Sequence, residues 1–221
     1  MQTSEILFLI TSSVVSYLFG SIPWALIIGK LFFNKDIRQY GSKNLGGTNA
    51  GRVLGAKAGV SVMALDILKV VFAGLFITYL LVPLFNLAIT KTTSESIYIS
   101  LLFGVLGHCY PLFASFRGGK AVSVAVGFLL FTNPFLVLVF AVSFFSLLKL
   151  TKIVSLSSMT SMVLTSIVSF IPFIFTIMLH NLKPSLYFNL AIILITILLI
   201  FRHRENVKRI INKNERKITW M

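Results

Sequence analysis

Acidic side chains are nearly missing from this sequence. Six Asp and Glu stand against 20 Lys and Arg, a net charge of +14, and charged residues of both signs fill only 12% of its 221 positions. Soluble domains carry about 25%, so an ordinary water-soluble globule is excluded. Cysteine occurs once, at Cys109. That rules out an intrachain disulfide and a cysteine-based zinc site, and the residue reads as small apolar packing. Period-two alternation is also lacking, so membrane β-strands are not expected. We find no convincing internal repeat. The opening MQTSE carries no cationic run, and no small-residue cleavage site closes the apolar segment after it. That segment is therefore expected to remain as a span and not to be removed as a signal peptide.

What is present is apolar sequence, 57% of the chain. It falls in blocks near the length needed to cross a bilayer core of roughly 30 Å. The blocks predict one all-α integral membrane domain over residues 1–221. About seven transmembrane helices are expected, near Ile6–Phe33, Val53–Leu81, Ile97–Phe113, Ala121–Phe131, Pro134–Leu148, Leu156–Met178 and Ser185–Phe201. Asn133-Pro134 separates the short fourth and fifth as a turn would. Seven spans put the termini on opposite sides. One side then holds Lys30, Lys35, Arg38, Lys43, Arg52, Lys57, Arg117, Lys120, Lys149 and Lys152, with seven more in the tail, 17 of the 20 bases. Lys91 and Lys183 lie on the other side, and Lys69 lies within a span. The bias places the N-terminus outside and the C-terminus in the cytoplasm. Because the cations flank apolar segments, the expected partners are membrane lipids and anionic substrates, not nucleic acid.

The cytoplasmic side holds motif loops at about 34–52, 113–120 and 149–157, and a tail at 202–221. The first polar island is YGSKNLGGTNAGRVLG, Tyr40 to Gly55. Its glycines let backbone amides turn toward an anion. Ser42, Asn44, Thr48 and Asn49 add neutral hydrogen-bonding groups, and Arg52 adds a planar fork suited to phosphate. The competing reading is a flexible loop that hydrates the membrane surface. The spacing GxxxxGK[ST] is absent, so this is not a nucleotide P-loop. The second island is FASFRGGKAVSVAVG, preceded by GHCYP. Gly118 and Gly119 predict a tight, exposed backbone just before a helix, where the cations Arg117 and Lys120 oppose the helix dipole. An anion bound there would explain both. A positive-inside anchor would explain the charges but not the paired glycines. The third island, FRHRENVKR, is expected to continue the last helix, with His203, Asn206 and Arg209 on one face. Asp66 and Lys69, three apart within the second span, must pair or reach a polar cavity. Both a structural ion pair and a catalytic role are open for them.

Taken in order, GSIPWALIIGK, GSKNLGGTNAGR, DILK, GHCYPLFASFRGGKA, SLSS and RHRENVKR resemble the bacterial acyl-phosphate:glycerol-3-phosphate acyltransferases, the PlsY family, over nearly the full length. The resemblance implies a seven-helix inner-membrane enzyme. It would move a fatty acyl group from acyl phosphate to the 1-hydroxyl of sn-glycerol 3-phosphate, giving lysophosphatidic acid and phosphate, the first acylation of phospholipid synthesis. It implies no metal, no other cofactor and no acyl-CoA. The family lacks an HxxxxD motif, and none of His108, His180 and His203 has an Asp five positions on.

By motif match, His203, Lys120 and Arg52 are the expected catalytic residues. Ser42, Asn44, Thr48, Asn49, Gly118, Gly119, Asn206 and one of Ser155 and Ser157 are expected at the substrates, and Glu215 closes the last motif. His203 has two open roles, proton acceptor or ligand of glycerol phosphate. Lys43, Val70 and Ala121 stand where the family has glycine, and Arg117 where lysine is common. The Ala121 methyl is expected to narrow an approach to phosphate. Two other classes fit parts of the sequence: a transporter for a phosphorylated solute, favoured by Asp66 and Lys69, and a lipid-binding scaffold, favoured by the basic tail.

Overall fold

The structure, a computed structural model, describes residues 3–218. Among them are helices and turns and no strand. The chain starts with α1 (Thr3–Ser21), breaks at Ile22-Pro23, and resumes as α2 (Trp24–Phe33). Proline cannot supply the N–H that a continuous helix needs, so one long apolar stretch becomes two helices. A short amphipathic α3 (Gly47–Leu54) is cut from α4 (Ala56–Phe76) by Gly55 at φ 100°, a conformation glycine adopts without strain. The stretch expected as one glycine-rich loop is therefore half helix, and Thr48, Asn49 and Arg52 lie on α3.

The helix α5 (Lys91–Cys109) begins at Thr90, whose Oγ1 accepts the Thr93 N–H. After the loop carrying Gly118 and Gly119 come α6 (Val122–Thr132) and α7 (Pro134–Thr151). Asn133 caps α7 and Pro134 starts it, the position where a missing N–H costs nothing. The helix α8 (Val154–Val168) stops ten residues before the expected Met178, because Pro172 opens a 3₁₀ segment, Pro172–Ile177. Last come α9 (Leu186–Arg202) and α10 (Arg204–Ile211). They do not form one continuous helix as expected but bend by 59° at His203. There the imidazole Nδ1–H donates to the Leu199 carbonyl, which also accepts the His203 backbone N–H at 3.1 Å.

Among the described residues, four stretches are long and apolar enough to cross a membrane: Thr3–Phe33, Ala56–Leu84, Lys91–Ala114 and Pro134–Thr151. The bent pair α9–α10 adds a fifth, and α6 and α8 are apolar but shorter. Close backbone approach ties α1 to α5. A Cβ on Gly20 would fall 2.0 Å from the Gly104 carbonyl oxygen, and one on Gly107 2.3 Å from that of Tyr17. Small residues at such a seam let helices associate where lipid supplies no hydrophobic drive. Ser12 and Ser100 share a 2.7 Å hydrogen bond across it. The core, which includes Tyr98, Phe128 and Phe188, holds the helix bundle so that the three polar islands meet at one end.

Candidate active site

The first island is organised by one side chain. Asn49, buried on α3, accepts the Ser42 N–H at 2.8 Å and donates to the carbonyls of Ile37, Tyr40 and Asn44. Its amide is thus committed to the loop backbone, and it presents Ser42, Thr48 and Arg52 around an opening. The third island enters from the corner at His203. Burial follows the expected face, with His203 and Asn206 both nearly covered. The tail then turns back: the Ile218 N–H donates to the Lys152 carbonyl at 2.8 Å, which lays residues 215–218 across the mouth of the site.

Between these parts lies a cavity of about 710 Å³. Ser42, Asn44, Thr48, Asn49, Arg52, Gly118, Lys120, Ser155, His203, Asn206 and Glu215 all border it. Candidates as far apart in the chain as Ser42 and Glu215 therefore converge on one space. Gly119 and Ser157 do not border it. Gly118 and Gly119 are buried, not exposed, because they are packed against His108. The Ser157 Oγ donates to the Ile153 carbonyl, whereas the Ser155 Oγ donates to Glu215 at 2.8 Å. Ser155 is thus the serine that reaches the site. Asp66 and Lys69 form a buried ion pair of 2.8 Å behind it. Ala121 is fully buried at φ 68°, and its methyl packs in the core. It does not crowd the cavity as expected.

Residues outside the expected set also border the cavity, among them His108, Ser158, Arg216 and Lys217. GHCYP was visible in the sequence, but nothing local showed that His108 would turn toward the Gly-Gly segment. In all, nine Lys and Arg side chains line the cavity against two glutamates, with Met63, Phe116, Val122, Phe144 and Val154 supplying apolar wall.

A relay of hydrogen bonds crosses the site. Lys120 donates to Asn206 Oδ1, Asn206 Nδ2 donates to Glu215 Oε1, and Arg209 holds Glu215 Oε2 at 2.7 Å. Burial opposes the charge on Glu215, but the bonds from Asn206, Arg209 and Ser155 outweigh it and hold the carboxyl below its usual range. Lys120 is lowered to about 8, first by burial and then by Arg209. Arg52 is lowered too, by burial and then by Arg216. Crowded cations of this kind invite an anion. His203, one residue past the end of α9, is lowered to about 4, chiefly by burial. Its Nδ1 proton is held by Leu199, so Nε2 carries the lone pair of the neutral ring. The site can therefore bind phosphate oxygens, accept a hydrogen bond from a hydroxyl at His203, and place an apolar chain along one wall.

The chain belongs to the glycerol-3-phosphate acyltransferase family, whose model matches residues 10–213. It is an acyltransferase of the membrane. Among similar proteins, the glycerol-3-phosphate acyltransferase of Bacillus subtilis (strain 168) is 44% identical, covering 94% of this chain and 96% of that protein. Glycerol-3-phosphate acyltransferase 2 of Bacillus anthracis is 46% identical, covering 95% and 98%. Among solved structures, the crystal structure of PlsY (YgiH), an integral membrane glycerol 3-phosphate acyltransferase, is similar in two forms. The glycerol 3-phosphate form has a TM-score of 0.79 at 30% identity over 96% of each chain. The lysophosphatidic acid form has 0.77 at 29% over 96% and 95%. The family resemblance read from the motifs is thus established.

Proposed function

We propose that this protein transfers a fatty acyl group from acyl phosphate to the 1-hydroxyl of sn-glycerol 3-phosphate in a bacterial inner membrane, releasing lysophosphatidic acid and phosphate. The observation that carries the reading is one cavity lined by nine cations against two carboxylates, with an apolar wall and a neutral imidazole. Two phosphates must meet at one carbonyl, and this cavity has the charge for both. Arg52, Lys120 and Arg209 hold the phosphates. Ser42, Thr48, Ser155 and Asn206 orient them, and Asn49 shapes the loop that presents Ser42.

The acceptor hydroxyl oxygen attacks the acyl carbon. The ester C–O bond forms, the acyl C–O bond to phosphate breaks, and phosphate leaves with the electron pair. Burial lowers His203 to about 4, so the ring is neutral as the hydroxyl enters. A phosphate dianion, with a second pKa of about 6, is the better acceptor. The hydroxyl proton therefore goes to the leaving phosphate, while His203 Nε2 aligns the hydroxyl. The donor is already activated, so positioning and charge stabilisation supply most of the rate.

Purified protein in detergent, given palmitoyl phosphate and labelled glycerol 3-phosphate without CoA or ATP, is expected to form labelled lysophosphatidic acid. Product only with acyl-CoA would overturn the donor, and no product with either would overturn the reaction.

The proposed topology is seven spans with the N-terminus outside. It is supported by the five candidate spans, the two shorter apolar helices and the 17 bases on one side. A cysteine placed at Ser4 in a Cys109→Ala background should label with an impermeant maleimide from outside whole cells, and one at Asn214 should not. The reverse pattern would invert the topology.

A further inference from the structure

The buried ion pair leads to a residue that the mechanism above does not use. Lys69 Nζ lies 2.8 Å from Asp66 Oδ1, 2.9 Å from the Ile22 carbonyl and 3.1 Å from His108 Nδ1. An ammonium has three N–H donors, and these three partners use them all. With the ammonium donating to it, His108 Nδ1 is an acceptor, and the same nitrogen lies 3.5 Å from Asp66 Oδ1, so both members of the ion pair face one edge of the ring. The Ile22 carbonyl lies at the break between α1 and α2, so Lys69 ties that break, α4 and α5 together.

The other edge of the His108 ring lies against the Gly-Gly segment. A Cβ on Gly119 would fall 1.9 Å from His108 Nε2, and one on Gly118 2.1 Å from the His108 carbonyl oxygen. The Gly119 N–H donates to that carbonyl at 3.0 Å. Arg202, stacked over Tyr110, holds the Gly119 and Gly118 carbonyls at 3.0 and 3.2 Å. The glycines are therefore required by contact with His108, whose ring sets where the backbone runs. The next residue is Lys120. Charges inside a span are costly, and a neutral apolar side chain would have filled the same space behind the loop. What the ion pair adds is a hydrogen bond that fixes the orientation of the ring.

We infer that Asp66, Lys69 and His108 form a positioning device: the ion pair fixes the His108 ring, the ring fixes Gly118-Gly119, and the segment places Lys120 for a substrate phosphate. His108 is a positioning residue, acting through Lys120. The inference rests on the acyl-transfer reading, and wild-type protein forming no acyl ester would sink both.

In active protein the test is kinetic. His108→Ala is expected to raise the KM for at least one phosphate-bearing substrate about tenfold while kcat changes less than about threefold. His108→Gln, which can still accept from Lys69, should recover part of that loss. Asp66→Asn/Lys69→Gln should raise the same KM as His108→Ala does. Unchanged KM in His108→Ala, or a fall in kcat alone, overturns the inference. A double-mutant cycle gives an independent readout. Gly119→Ala drives its methyl into the ring and should raise KM more than His108→Ala does, and His108→Ala/Gly119→Ala should restore much of the loss. Strictly additive effects overturn the inference. Should Gly119→Ala fail to fold, the double variant is expected to fold, and its failure would count against the device equally.

Discussion

Lys120 is the residue whose charge the surroundings press on most clearly. Burial and neighbouring cations lower it to about 8, so in the free enzyme it loses its proton as pH rises through that value. Anion binding needs the cation. kcat/KM, which reports the free enzyme, is therefore expected to fall above about pH 8. kcat should hold to higher pH, because bound phosphate stabilises the ammonium. Lys120→Arg should abolish the alkaline limb in a pH–rate profile while lowering the rate, since a planar fork replaces a point charge. Two non-glycine residues also make a residue-scale test, because both take positive φ: Lys43 at 58° and Ala121 at 68°. A left-handed conformation costs an L-residue about 1–2 kcal/mol, of which the freer unfolded chain of a glycine variant returns part. At exposed Lys43, Lys43→Gly is expected to stabilise by about 0.5–1 kcal/mol, seen as a rise in Tm. At Ala121 the buried methyl is worth about 0.8 kcal/mol, so Ala121→Gly should leave Tm nearly unchanged. The offset explains why alanine is tolerated there.

Among the elements, the corner between α9 and α10 and the returning tail complete the cavity. Glu215 receives Ser155 from α8, and Asn206 and Arg209 from α10. It is a clasp of three charge-assisted bonds around one carboxylate. Ending the chain after Lys213 removes the clasp and leaves Arg209 without its partner. Activity is expected to fall at least about tenfold, and protease should cut the freed end of α10 faster, while the Tm of the bundle stays within a few degrees. The same corner shows how far local pattern carried. The spacing of His203, Asn206 and Arg209 was readable as one face, and the three do meet at the cavity. The 59° bend was not readable, because no proline or glycine marks the corner in FRHRENVKR. The choice of Ser155 over Ser157 was likewise open in the sequence. It turns on Glu215, 60 positions away, folding back to one serine and not the other.

For the whole molecule, the scarcity of acids acts at long range. A cavity rich in cations draws anionic substrates in solution, and salt screens that pull with a Debye length of about 8 Å at 0.15 M. Raising ionic strength from about 0.05 to 0.5 M is expected to lower kcat/KM for glycerol 3-phosphate several-fold with little change in kcat. Equal falls in both constants would refute steering.

The sequence by itself determined the class. Its apolar blocks demanded a helical membrane protein, and its ordered Gly, Arg, Lys and His motifs specified the family. These are properties of composition and short spacing, which need no folded chain to be seen. Only the tertiary structure decided which motif residues face the cavity and which support it. Asn49 became a loop organiser, Gly119 a seat for a histidine ring, Ala121 a core residue, and Asp66 with Lys69 a brace behind the site. These roles are set by the partners the fold supplies, from the Asn49 amide bonding loop carbonyls 5 to 12 positions away to Lys69 meeting Ile22 and His108, and which partner a side chain meets leaves no mark in the local pattern that a sequence displays.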